Sequence, residues 1–225
     1  MVRILSTISE KWPEYFLEIL VITTGILGAF ALNTWNEIEN LKDFEQEILT
    51  EIALNLKDDE KILTQNIESI TIAIESLEIV LNEKQLPEDS VYKLLGKFIC
   101  FERFMPKTSA FEVLKSKGLT SIKDTDLRRL ITNYYDTDIK RIEQSLADIE
   151  LEFEREWFDI LMEQFDDFAF KRYAKPKDVP TFLSSPDNII FMKLGRDNRL
   201  GSIQPLKTAL VNLREIVVRI EEQND

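Results

Sequence analysis

The chain has 225 residues, 44% hydrophobic and 31% charged, a balance that supports a packed core and excludes wholesale disorder. Its 41 acids against 28 bases give a net charge of −13, which repels phosphate backbones and anionic head groups, so no nucleic-acid partner is expected. Histidine is absent and Cys100 is the one cysteine, which removes the commonest general base, the commonest zinc ligand and any intrachain disulfide.

With only 6 Gly and 7 Pro, long helices are expected. The first feature in chain order is YFLEILVITTGILGAFALNTWNE, residues 15–37. Ile19 to Asn36 are 18 residues without a charge, close to the roughly 18–20 that cross about 30 Å of hydrocarbon as a helix. Trp12 and Trp35 flank the run, with Tyr15 just inside the first. At about 1.5 Å per residue the two tryptophans stand roughly 34 Å apart, a span that suits three interfacial anchors at head-group level. Pro13 suits a first helical turn.

Three readings of this run compete: a membrane span, a cleaved signal peptide and a buried core helix. Arg3, Lys11 and Ala29-Phe30-Ala31 fit a signal peptide, but the run is long for one and the helical pattern continues past Trp35. A single transmembrane helix over residues 15–35 is the reading taken. Arg3, Lys11 and the terminal amine precede it, while only Lys42 is basic from Asn36 to Thr50. The positive-inside rule then gives a short cytoplasmic N-terminus, residues 1–14, and an extracytoplasmic (periplasmic) region, residues 36–225. Glu18 either reaches the interface or lines a helix contact. In the second case it shares a stripe with Ile22, Gly25, Ala29 and Leu32, and Gly25 with Ala29 makes a small-xxx-small pair.

Past the span, Leu41, Phe44, Ile48, Ile52, Leu56, Leu63, Ile67, Ile70, Ile74, Leu77 and Leu81 recur at helical spacing. Pro87 breaks this helix; a second is expected from Val91 to Phe104 and a short third from Ser109 to Lys117, closed by Gly118. Asp124 caps a helix expected to run more than forty residues, through Phe168, antiparallel to the first. Lys175 to Pro186 reads as loop, Asn188–Leu194 as a short helix, Gly195–Gly201 as a break and Leu206–Ile220 as a terminal helix. No strand alternation stands out, and no further domain is expected after Asp225. The fold expected is all-α: a transmembrane helix, then an antiparallel bundle of three or four main helices.

Two blocks carry a family resemblance. Leu17-Glu18-Ile19, Gly25-Ile26-Leu27 and Trp35-Asn36-Glu37 form the first; Phe111-Glu112-Val113-Leu114 through Gly118-Leu119, then Leu127-Arg128 and Tyr134-Tyr135, form the second. Together, in this order, they resemble a family of uncharacterised bacterial single-span membrane proteins. Leu17 stands where that family usually has glycine. The resemblance implies an anchor and a helical extracytoplasmic region, and no activity. From the residues themselves, Phe111, Leu114, Gly118 and Leu119 form a structural corner or a docking surface, and Glu112 can pair with Arg128 across the turn.

No phosphate loop or dinucleotide fingerprint occurs. Asp58-Asp59-Glu60, Glu150/Glu152/Glu154/Glu156 and Asp166-Asp167 read as solvated helix faces, and Asp124-Thr-Asp126 and Asp136-Thr-Asp138 lack the glycine and distal Glu of a calcium loop. Cys100 reads as a core thiol. No catalytic residue, metal or cofactor is expected. The expected partners are the lipid bilayer and either a second copy or another envelope protein. The expected role is protein interaction or assembly; a ligand-sensing bundle working through a partner and an oligomeric pore are the alternatives.

Overall fold

A computed structural model describes the backbone of residues 2–83 and 85–224 and the side chains of 12, 16–83 and 85–223. The chain divides into two compact units, Met1–Glu47 and Ile48–Asp225.

The helix α1 (Val2–Asn82) runs through the first unit and supplies the opening element of the second. It is rich in Leu, Ile and Glu, and after Pro13 it meets no further proline and only two glycines, Gly25 and Gly28, before Asn82. Every side chain from Phe16 to Asp43 is exposed.

From Ile48 onward α1 becomes one-sided. Ile48, Ile52, Leu56, Leu63, Ile70 and Leu77 are buried at 3–4 and 7 spacing, while Lys57, Lys61, Glu68 and Glu75 face solvent. Two polar residues, Asp59 and Asn66, occupy buried places on the same stripe.

Pro87 ends the connection after α1, and α2 (Glu88–Phe98) begins with Glu88 and Asp89 at its positive end. It stops six residues short of the expected Phe104, and Ile99 to Thr108 has no regular structure. This segment is held by side chains of α1: Asn66 Nδ2 donates to the Arg103 carbonyl at 3.1 Å, and Ser69 Oγ to Glu102 at 2.5 Å. The third helix, α3 (Ser109–Lys117), ends at Gly118, whose φ of 106° is open to glycine at little cost.

Asp124 caps α4 (Thr125–Asn133), its carboxylate accepting from the Asp126 and Leu127 amides. The helix continues through a π turn at Tyr134–Asp138 into α5 (Ile139–Glu152), and through a second π turn at Phe153–Trp157 into α6 (Phe158–Gln164). It therefore ends before Phe165 and Phe168. Those residues lie on β1 (Phe165–Ala169), which pairs antiparallel with β2 (Tyr173–Pro176). The all-helical expectation is corrected here. Lys171 makes the hairpin turn at φ 61° without a glycine or asparagine, so the usual turn signal is missing. The 175–186 stretch, expected as loop, holds the end of β2 and α7 (Val179–Ser184), capped by Asp178.

The last helix, α8 (Pro186–Asn224), runs through the expected break at Gly195–Gly201 and through Pro205. Buried Met192, Leu206, Ala209 and Leu213 hold it to its neighbours, so packing overrides the local breakers.

The pairings set the directions. Lys57 meets Glu221, Glu60 meets Arg214 and Glu78 meets Arg196, so the 48–82 part of α1 is antiparallel to α8. Asp138 meets Asn212, Ser145 meets Ser202 and Glu152 meets Arg199, so α5 is also antiparallel to α8. It follows that α1 and α4–α5 run in the same direction, correcting the antiparallel expectation for that pair. The physical reason is the long return through α2, the 99–108 segment and α3, which carries the chain back before α4 begins.

Candidate functional site

The first candidate is the apolar helix. Among the described residues one helix is long and apolar enough to cross a membrane, with mean hydropathy 1.8 over its best window and none of that window buried. A helix apolar on every side belongs in a core or in lipid, and here Ile19, Val21, Ile22, Ile26, Leu27, Phe30 and Leu32 each keep about half or more of their surface open. Trp12 and Trp35 are exposed as well. The Tyr15 side chain lies outside the described residues. Glu18, Ile22, Gly25, Ala29 and Leu32 fall on one face by helical spacing, and a Cβ on Gly25 would meet no atom within 4 Å.

The second candidate is the corner around α3. Phe111 and Leu114 are buried, and Phe111 stacks on Tyr135 with centroids 4.3 Å apart and planes 6° from parallel. Leu119 and Gly118 are half-buried. Glu112 and Arg128 do not meet: Glu112 accepts from Lys115 at 3.4 Å, and Arg128 donates to the Ile122 carbonyl at 3.1 Å.

Behind this corner lies a polar centre that the sequence reading placed on the surface. Asp59 is fully buried. One carboxylate oxygen accepts the Lys107 backbone N–H at 3.1 Å, and the other accepts the Tyr134 hydroxyl at 3.2 Å. Tyr135 donates to the Lys107 carbonyl at 3.4 Å. The Lys107 ammonium turns away to Asp58 at 2.5 Å, and Asp58 also takes Lys61 at 2.9 Å. These two neighbours therefore titrate in opposite directions. Bonds from Lys107 and Lys61 hold Asp58 down at about 2, whereas burial pushes Asp59 up to about 6. Burial also raises Tyr134 and Tyr135, so both keep their protons. A signal for Asp59 was present: it follows Leu56 by three and precedes Leu63 by four, a core position of the apolar stripe.

A third centre surrounds Arg199, which is buried with its guanidinium 4.3 Å from the centre of the Phe98 ring. Nη1 donates to Glu152 Oε1 and the Gly195 carbonyl, both at 2.9 Å; Nη2 donates to the Phe98 and Cys100 carbonyls, both at 3.0 Å. Trp157 and Asn198 also donate to Glu152. The sequence reading missed this centre because Arg199 lay in the stretch taken as a break and Glu152 in a run of acids taken as surface.

Cys100 is buried, its thiol donates to the Lys97 carbonyl at 2.9 Å, and burial raises its pKa to about 11, so it stays protonated. Among the described residues no group of three or more acidic or cysteine side chains is placed to hold a metal ion. An open apolar groove of about 490 Å³ runs between α6 and β1, lined by Phe153, Phe158, Leu161, Met162, Phe165 and Phe168, with Asp166 and Asp167 at its rim. No protein-family model, curated protein or solved structure matches the chain.

Proposed function

We propose that the chain is a single-pass protein of a bacterial cell membrane. In this reading its N-terminus is cytoplasmic, residues 15–35 span the bilayer, and a periplasmic bundle of three main helices binds other envelope proteins or a second copy. The observation that carries the reading is the Phe16–Asp43 stretch, exposed throughout and strongly apolar as far as Trp35. Lipid is the solvent such a surface requires, because leaving seven large apolar side chains in water would forfeit on the order of 10 kcal/mol. The placement of Arg3 and Lys11 before the run supports the orientation. The resemblance to uncharacterised single-span proteins supports the anchor and is silent on activity. The role is assembly rather than catalysis: the polar centres found at Asp59 and Arg199 are closed inside the bundle, where they hold elements together.

A topology reporter fused after Asp225 tests the reading. Activity of a periplasmic reporter and retention in the membrane fraction at full-length mass are expected. Activity of a cytoplasmic reporter alone overturns the orientation, and release of a shortened chain overturns the anchor in favour of a cleaved signal peptide. Crosslinking in intact membranes then separates self-assembly from a hetero-complex.

The groove beside β1 favours a second reading, ligand sensing through a partner. Its volume and mostly apolar lining fall in the range of small-molecule sites. A small molecule that raises the melting temperature of the full chain, with the rise abolished by Met162→Glu, would move the assignment from assembly to sensing.

A further inference from the structure

We propose that Asp59 is a proton-operated latch: proton uptake by its buried carboxylate fastens the Ile99–Thr108 segment and the Tyr134 turn to α1, and proton loss loosens them.

The geometry carries this argument. Asp59 has no exposed surface, and it bridges three separate parts of the chain. On its own helix are Asp58, Lys61 and Glu60; Lys107 faces it from the 99–108 segment; Tyr134, Tyr135 and Asp138 face it from the π turn. Of the cations, Lys61 is paired to Asp58, and so is the Lys107 ammonium. Glu60 is paired with Arg214 and Asp138 accepts from Asn212. The ionised Asp59 therefore keeps a full charge in the core against one amide and one phenol hydroxyl, with no guanidinium or ammonium among the described residues bonded to it. Such a charge is costly. Protonation removes the charge and keeps both contacts as neutral hydrogen bonds: the carbonyl oxygen still accepts from the Lys107 amide, and the Asp59 and Tyr134 hydroxyls share one hydrogen bond.

Beside the latch the Lys107 ammonium also pairs with Asp58, and the attachments from Asn66 and Ser69 lie about two to three turns further along α1. Opening at Lys107 thus frees the end of the segment nearest α3 and the Phe111–Tyr135 stack. The second sequence block of the resemblance, Phe111 to Tyr135, lies on this movable corner.

The test uses the full chain in lipid nanodiscs. Hydrogen exchange of the 102–108 backbone amides, corrected for intrinsic rates, is followed from pH 7.5 to pH 5, and the Asp side-chain carbons are titrated by NMR in wild type and Asp59→Asn. The expected result is a carboxyl midpoint near 6, absent from the variant, and a local opening constant that falls roughly tenfold on acidification. The variant stays protected across the range. A midpoint at or below the ordinary aspartate value, or the same pH response in wild type and variant, overturns the proposal. If Asp59→Asn does not fold, the wild-type carbon titration and exchange profile decide the matter without it.

Discussion

Arg199 and Glu152 form a buried ion pair, Nη1 to Oε1 at 2.9 Å, that joins α8 to the end of α5. The pair is one edge of a wider network, since Arg199 also donates to the Phe98 carbonyl at the end of α2 and to the Cys100 carbonyl just beyond it. Replacing Glu152 with Leu strands the guanidinium in the core and is expected to cost about 3–5 kcal/mol. The double variant Glu152→Leu/Arg199→Met is expected to recover part of that loss. It does not recover all of it, because the Gly195, Phe98 and Cys100 carbonyls lose the guanidinium. Urea-denaturation midpoints of the four chains in a double-mutant cycle give the answer. A double variant whose loss equals the sum of the two single losses would show that the pair is not coupled.

Glycine substitutions separate close approach from mere flexibility. A Cβ on Gly96 would lie 2.3 Å from both the Tyr173 Cα and the Tyr173 amide nitrogen, where α2 meets β2, and backbone cannot swing aside. Gly96→Ala is expected to destabilise by about 3 kcal/mol or more. Gly195→Ala meets Glu152 Oε1 at 2.7 Å and Phe98 Cζ at 3.0 Å, side chains that are themselves anchored, and is expected to cost about 1–3 kcal/mol. Gly201 has open space around it, so Gly201→Ala is expected to stabilise by about 0.5–1 kcal/mol through helix propensity. Thermal melts of the three variants should fall in that order.

These glycines also show where sequence reasoning reached and where it stopped. Helices were legible wherever an apolar stripe ran long: Ile48 to Leu77 is a single pattern, and Asp124 before Leu127 is a local cap with a local cause. Gly195 and Gly201 gave the same local signal as a chain break, yet one is a packing contact and the other is neutral, a distinction made by Phe98 and Glu152 from distant elements. The hairpin at 165–176 was hidden for a related reason. Phe165 and Phe168 are three apart and continue a helical stripe, and Lys171 turns the chain without the residue types that advertise a turn. The direction of α4 relative to α1 depended on the irregular 99–108 segment, whose path is set by Asn66, Ser69 and Asp59 rather than by its own sequence. The long apolar stretch of α1 needed only composition and length. The Asp59 centre needed the recognition that an acid at a stripe position is buried even beside two other acids.

Asp59 gives the bundle a pH dependence of defined sign. Its folded pKa of about 6 lies above the ordinary value of 3.8, so the folded state holds the proton more tightly than the unfolded state. Stability from this group is full below pH 3.8 and is lost as pH rises to 6 and beyond. The full swing is about 3 kcal/mol at most. Asp59→Asn removes that slope and is expected to raise the melting temperature most at pH 7.5, by about a third as much at pH 4.5, and hardly at all below pH 3.8. Asp58 acts oppositely, being held low by surface lysines, and its contribution fades only near pH 2 to 4. An Asp59→Asn variant less stable than wild type at pH 7.5 would contradict the burial argument.

If residues 15–35 span the membrane as proposed, one face of that span makes the last prediction. Glu18, Ile22, Gly25, Ala29 and Leu32 share one side of α1, and Ala31 lies across the helix from that stripe by helical rotation. Close helix approach depends on small residues at the contact. If two copies meet along this stripe, Gly25→Ile and Ala29→Ile each block the approach, whereas Ala31→Ile adds comparable bulk on the opposite side. The expected outcome is loss of the crosslinked dimer in membranes for the first two and retention for the third, at equal expression. Glu18→Gln distinguishes the remaining roles of the acid: a dimer weakened by this change places Glu18 in the contact, and an unchanged dimer favours the interface reading. Equal dimer in all four variants would remove the stripe as a contact and leave residues 15–35 as an anchor alone, with assembly assigned to the bundle.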